Sequence, residues 1–282
     1  MKMYTEIDEE QFNMSIKLIA LDTDGTLLNS HGEILTSTKK AVKKALDRGI
    51  KVVLCSGRPI AGLQHYMDEL GIEGSAEYVV TLNGAITRDA DDDIITKDLV
   101  PSSFYRKMTA FALEHQIPFN IVDVDSRIIT SNHDINPMVY VQAYENKATL
   151  YVRAPEEMPD DLEIAKGCFV GDSDLLNQWE KEIRKVFGKD LYVVRADNHF
   201  IELLNPRVSK GNGLKELCQN LNISSKEIMA VGDERNDISM FSFAGTAVCM
   251  GNGSDEAKKH ADFITTSNDK DGISKAFNKF IF

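Results

Sequence analysis

Cysteine is scarce in this chain of 282 residues: Cys55, Cys168, Cys218 and Cys249 lie far apart and form no CxxC pair. That spacing argues against a thiolate zinc site and against a disulfide framework, and it fits a reduced, cytoplasmic interior. No apolar run approaches the roughly 20 residues a membrane-spanning helix needs. Positive charge is also short. Lysine and arginine number 32 against 44 acidic residues, a formal charge of -12, and no basic patch offsets it, so nucleic acid and anionic membrane are poor partners. The first fifteen residues carry Glu6, Asp8, Glu9 and Glu10 but neither a basic start nor an apolar stretch, so they read as an acidic N-terminal extension rather than a signal peptide. Internal repeats and low-complexity segments are absent too.

What is present is ordinary for a soluble globular protein, with 43% hydrophobic and 27% charged residues. The length allows a well-buried core and more than one substructure. Ile16 to Leu21 is a short, nearly continuous apolar run that ends in Asp-Thr-Asp-Gly, the pattern of a strand buried on both faces. Thr36 to Arg48 has apolar residues on one side and stops at Gly49, which predicts an amphipathic helix. A strand over Ile50 to Leu54, a helix over Ile60 to Leu70 and a strand over Tyr78 to Leu82 continue the alternation of repeated βαβ units. The fold class is therefore α/β, with a parallel-sheet, Rossmann-like core.

After Asn83-Gly84 the rhythm changes. An acidic turn (Asp89 to Asp93) precedes a helix that carries Phe104, Met108, Phe111 and His115. Strand-like pieces follow at Phe119 to Val124, Arg127 to Thr130, Thr149 to Val152 and Lys166 to Val170. A helix near Leu175 to Phe187 and a hairpin across Leu191 to Leu204 complete an α+β insert. From Lys210 the first rhythm resumes with a helix to Leu221, a strand at Ile228 to Val231, a further helix, and strands at Thr246 to Met250 and Asp262 to Thr265. The expected organisation is a discontinuous core (16–84 and 206–282) that carries an inserted cap (85–205).

Ligands of open parallel sheets bind beyond the carboxyl ends of the strands, and three polar clusters fall there: Asp22-Thr23-Asp24-Gly25-Thr26, Ser56-Gly57-Arg58 and Gly232-Asp233-Glu234-Arg235-Asn236-Asp237. Lys210 opens a helix, where its charge and the unpaired N–H groups suit an anion. Serine, glycine and asparagine are also common turn residues, and for Ser56-Gly57 or Lys210 taken alone a turn or a solvated surface is the simpler account. Asp22 and Asp24, one residue apart, repel each other unless a cation or a shared proton relieves them. With Asp233 and Asp237 at another strand end they form an acidic pocket of hard oxygen ligands, and that points to Mg²⁺.

These four motifs, in this order, resemble the haloacid dehalogenase superfamily of phosphohydrolases: DxDGT at Asp22, SGRP at Ser56, the lysine before GxGL at Lys210, and GDxxND at Gly232. The insert's place after the third strand and the ending Asp271-Gly272-Ile273 look more narrowly like the Cof-type (YidA-like) sugar phosphatases, with a C2-type cap. The resemblance runs over nearly all of the chain from Ser15. It implies that Asp22 attacks phosphorus to form an aspartyl-phosphate and that Asp24 protonates the leaving alcohol and then deprotonates water. It further implies that Ser56, Gly57, Lys210 and Asn236 hold the phosphoryl oxygens. Mg²⁺ would sit on the Asp22 carboxylate, the Asp24 backbone carbonyl and Asp233, with Asp237 supporting it through an intervening contact. Gly25 would let the chain turn, and Thr26 would steady that turn.

Weaker signals read more simply. Gly211-Asn212-Gly213 lacks nucleotide-loop spacing and reads as helix entry. His133, His199 and Trp179 in the insert read as packing or surface. Arg58 suits a phosphate and an acidic partner equally. A sugar-phosphate mutase on the same scaffold is the nearest rival, since it returns the phosphoryl group to another hydroxyl and yields an isomer in place of phosphate. A phosphorylatable receiver-like regulator also uses an acidic pocket, a metal and a lysine, but it needs no cap and would be shortened in its signal by Asp24. The expected partner is a small phosphorylated metabolite.

Overall fold

The structure is a computed structural model that describes residues 16–282. The acidic extension read over residues 1–15 lies outside the described residues. In chain order the strands are β1 (Leu18–Leu21), β2 (Lys51–Cys55), β3 (Tyr78–Thr81), β4 (Ile86–Asp89), β5 (Ile94–Lys97), β6 (Phe119–Asp123) and β7 (Ile128–Thr130). They continue as β8 (Leu150–Val152), β9 (Ile164–Val170), β10 (Tyr192–Arg195), β11 (Phe200–Leu204), β12 (Ile228–Gly232), β13 (Thr246–Cys249) and β14 (Phe263–Ile264). The helices are α1 (Thr36–Leu46), α2 (Gln64–Leu70), α3 (Ser103–Glu114), α4 (Pro137–Glu145), α5 (Ser173–Phe187), α6 (Lys210–Leu221), α7 (Ile238–Phe243), α8 (Asp255–Lys259) and α9 (Gly272–Phe280). None of these is long and apolar enough to cross a membrane.

The described chain divides into two compact units, one built from residues 16–53 together with Lys215–Phe282, the other from Leu54–Leu214. In the first unit the strand order is β14-β13-β12-β1-β2. The β1–β12, β12–β13 and β13–β14 pairs are parallel, with Leu21 opposite Val231. Every residue of β1 is buried, as its unbroken apolar run requires in a sheet covered on both faces. Helix α1 buries Thr38, Ala41, Val42 and Ala45, spaced three and four apart, and the chain leaves it through Gly49 at φ 75°. The sequence steps outward from β1 to β2 on one side and from β12 to β14 on the other, so the order reverses at β1 and β12. A crevice opens at the carboxyl ends of strands at such a reversal.

In the second unit the last residues of β2 pair in parallel with β3 (Leu54 opposite Val79), and β3, β4 and β5 continue antiparallel. A separate six-stranded sheet has the order β10-β11-β9-β6-β7-β8 and is antiparallel except for the β7–β8 pair. Side chains alternate between its faces. One face, with Phe119, Ile121 and Phe169, packs on Met108 and Phe111 of α3 and on Leu176, Ile183 and Phe187 of α5. The other, with Val122, Cys168 and Val170, packs on Val139 and Ala143 of α4 and on Leu82, Ala85 and Val208. On that second face Lys166 and Glu202 form a buried ion pair, and Asn120 donates to Gln142 at 3.0 Å. The hairpin expected over Leu191 to Leu204 is β10–β11, and Trp179, half-buried, packs against the core of the first face.

Candidate active site

Parallel pairing of β1 with β12 carries Asp22 and Asp233 to the same sheet end, with the Asp22 N–H donating to the Val231 carbonyl at 3.0 Å. Beyond Asp22 the chain makes a wide turn closed by Leu27 N–H to Asp22 O (3.3 Å) and Leu28 N–H to Thr23 O (3.0 Å). Gly25 takes φ 79° within it, and a Cβ there would stand 2.4 Å from Asp233 Oδ2. Glycine is thus required twice over, by conformation and by space. Thr26 Oγ1 donates to Asp233 Oδ1 at 2.9 Å and ties this turn to the end of β12. The expectation that Thr26 steadies the turn takes this physical form.

After β12 the Asp237 carboxylate folds back, and its Oδ2 accepts from the N–H groups of Asp233 (2.8 Å) and Glu234 (2.9 Å). A side chain on Gly232 would strike it, with a Cβ 2.5 Å from Asp237 Cγ. Asp22, Asp233 and Asp237, all buried, each present an oxygen within 4.8 Å of the others. Burial pushes the Asp233 carboxyl up to about 6; the hydrogen bond from Thr26 and one shared with Asp22 pull it back, and the charges of Asp237 and Glu234 raise it further. Three buried carboxylates this close repel one another when ionised, and a bound cation removes the penalty. The donors are all hard oxygens, which suits Mg²⁺ and not a thiolate-seeking metal. Cys249 does not belong to this cluster, and burial pushes its thiol up to about 11.

Asp24 is exposed in the wide turn, two residues from Asp22, and its carboxylate does not belong to the three-carboxylate cluster. Asn236 is exposed beside Asp237 in the short turn Arg235–Asp237. Asn252, which sequence reasoning missed, donates from Nδ2 to the Gly25 carbonyl at 2.7 Å and braces the turn. Its only signal was the Gly251-Asn252-Gly253-Ser254 loop just after a strand.

The remaining candidates belong to the second unit. Ser56 is buried at the end of β2 and accepts from the Arg58 N–H at 3.2 Å. Lys210 begins α6 and is only 1% exposed, so it is no surface lysine. The helix start is held by Ser209, whose Oγ accepts from Asn212 N at 3.1 Å and whose carbonyl accepts from Gly213 N. Arg58 Nη1 donates to the Glu145 carbonyl at 3.3 Å. His199 is a packing residue, its Nδ1 3.0 Å from the Gly171 carbonyl.

The sequence matches the haloacid dehalogenase-like hydrolase family model over residues 19–277. YxeH of Bacillus subtilis (strain 168) is 35% identical over 268 residues, covering 94% of this chain and 98% of that protein. The crystal structure of a haloacid dehalogenase-like hydrolase from Bacteroides thetaiotaomicron superposes with a TM-score of 0.87 at 30% identity, over 94% of this chain and 99% of that one. The structure of the haloacid dehalogenase subclass IIB sugar phosphatase BT4131 superposes with a TM-score of 0.76 at 27% identity, over 94% and 98%. With a buried aspartate triad at the carboxyl ends of β1 and β12, the chain belongs to the haloacid dehalogenase-like hydrolase family and is a phosphoric monoester hydrolase.

Proposed function

We propose that the protein is a Mg²⁺-dependent phosphatase of small phosphorylated metabolites, sugar phosphates foremost, and that it works through an aspartyl-phosphate at Asp22. The observation that carries this reading is the buried cluster of Asp22, Asp233 and Asp237, with oxygens within 4.8 Å of one another. On this reading the Asp22 and Asp233 carboxylates hold the metal together with the Asp24 backbone carbonyl, and Asp237 supports it through an intervening contact. Bound Mg²⁺ would offset negative charge on the nucleophile and the phosphoryl oxygens.

An Asp22 oxygen attacks phosphorus, the phosphorus–oxygen bond to the substrate breaks, and the leaving oxygen takes a proton from Asp24. Asp24, now ionised, takes a proton from water as that water attacks the same phosphorus. The bond to Asp22 then breaks and phosphate leaves. Exposure suits Asp24 to this exchange with solvent. Ser56, Gly57, Lys210 and Asn236 are assigned to the phosphoryl oxygens, a role that needs donors and positive charge fixed in advance.

We assign the chain to the Cof-type (YidA-like) branch, with a catalytic core of residues 16–84 and 206–282 and a specificity cap of 85–205. The likeness to a sugar phosphatase at 27% identity supports the substrate class. Assay of Asp22→Asn against a panel of sugar monophosphates tests the mechanism: phosphate release should fall to background while the fold survives. Near-normal release would refute it.

A further inference from the structure

The turn between β3 and β4 is unlike an ordinary hairpin loop. Leu82, Asn83 and Gly84 take φ of 52°, 59° and 97° in succession. A leucine in the left-handed region is disfavoured by its own Cβ, and such strain persists only where surrounding structure enforces it. Hairpin tips normally lie on the surface, yet Leu82 and Gly84 are buried.

What surrounds this turn is the set of groups assigned above to the phosphate. On one side the Asn83 N–H donates to the Ser56 carbonyl at 2.8 Å, and the Leu82 N–H donates to the Arg58 carbonyl at 3.0 Å. The Asn83 carboxamide packs next to Gly57: a Cβ there would be 3.3 Å from both Nδ2 and Oδ1. On the other side a Cβ on Gly84 would be 2.1 Å from the Ser209 carbonyl and 3.3 Å from the Lys210 nitrogen. Gly213, one turn into α6, approaches so closely that its Cβ would be 2.9 Å from Gly84 Cα. The left-handed turn is therefore wedged between the Ser56–Arg58 loop and the start of α6.

We infer that Asn83 is a positioning residue for phosphate binding. Its backbone fixes Ser56, its neighbour Gly84 fixes the approach of Lys210, and its carboxamide clamps Gly57. Asparagine suits the position because it tolerates the left-handed conformation better than other residues that carry a polar side chain. The inference rests on the reading of Ser56, Gly57 and Lys210 as phosphate ligands.

The test uses the full chain, with p-nitrophenyl phosphate as substrate and inorganic phosphate as competitive inhibitor. Asn83→Gly keeps a residue content with φ 59° and deletes only the carboxamide. Its unfolding temperature and its stabilisation by Mg²⁺ should stay at the parental values. Its inhibition constant for phosphate and its KM should rise by up to about tenfold, the scale of one weakened hydrogen bond from a phosphate donor that Asn83 positions. Asn83→Asp keeps the shape but adds negative charge beside the phosphate, so its inhibition constant should rise further. Parental phosphate inhibition and KM in either variant would overturn the inference. Asp22→Asn assayed alongside separates the claims. Persistent turnover there removes the phosphatase reading itself, whereas an inert Asp22→Asn beside an unaltered Asn83→Gly removes only the role of Asn83.

Discussion

Replacing Asp233 with asparagine should make the metal-free protein more stable and the metal-loaded protein relatively less so. The carboxyl is raised from 3.8 to about 6, burial being the largest cause. A carboxyl raised in the folded state supports the fold while protonated, and that support is lost as pH climbs from about 4 through 6. At about 1.4 kcal/mol for each tenfold, ionised Asp233 costs the metal-free fold at most ~3 kcal/mol at neutral pH. Solvent reaching the site brings this nearer ~2 kcal/mol. Asparagine keeps an oxygen to accept from Thr26, which now lies 2.9 Å away, and it carries no charge to desolvate. In excess chelator at pH 7.5, Asp233→Asn should therefore unfold about 4 °C higher than the parent, at about 2 °C per kcal/mol for a chain of this size. The gap should shrink by about half at pH 5. Saturating Mg²⁺, at about 100 times its Kd, should stabilise the parent by ~2.7 kcal/mol and the variant far less, which reverses the order. Thermal unfolding of both proteins followed by circular dichroism reads all three conditions. A variant less stable than its parent in chelator, or equally stabilised by Mg²⁺, would refute the account of the cluster as a strained cation site.

Asp24→Asn should lose about 10²- to 10⁴-fold in turnover of alkyl phosphates but less with p-nitrophenyl phosphate, whose leaving group needs no proton; parallel steady-state kinetics on both substrates check this, and equal losses would count against Asp24 as the acid. Chelation should abolish turnover, and Mg²⁺ but not Ca²⁺ should restore it, because the larger ion takes looser and higher coordination than in-line transfer tolerates; titration of each ion into chelated enzyme measures it.

Much of this was legible in the sequence because the core announces itself. A nearly continuous apolar run followed at once by Asp-Thr-Asp-Gly predicts a buried strand that delivers carboxylates to a sheet end, and β1 does so. Helix α4 was not foreseen. Its segment, Pro137-Met138-Val139-Tyr140-Val141-Gln142-Ala143-Tyr144-Glu145, is apolar nearly all round, with Tyr140 and Tyr144 exposed, so it shows no amphipathic period. Only the Asn136 cap and Pro137 at the first helical position mark it locally. Strands β4 and β5 were hidden for another reason. The acidic turn between them was seen, but β4 is buried throughout while β5 is largely open, so neither shows the alternation of a half-buried strand. Asn83 escaped notice because Asn-Gly after a strand is the commonest of hairpin signals. Its contacts with Gly57 and the start of α6 are tertiary, and no local pattern encodes them.

The pairing of β1 with β12 has a consequence for how the molecule is made. Thr26 and Asp233, which meet in one hydrogen bond, are separated by 207 positions in the chain. At about 5–20 residues per second of synthesis, β1 waits roughly 10–40 s in the cell before its β12 neighbour has even been polymerised. All four of its residues are fully buried in the finished protein, so during that interval an apolar strand with one unfilled edge must be sheltered by something other than its native partner. The unit Leu54–Leu214 is unbroken in sequence, and its own pairings need nothing that emerges later. Order of emergence thus favours its completion first, and the aspartate cluster comes together only once Asp237 has emerged.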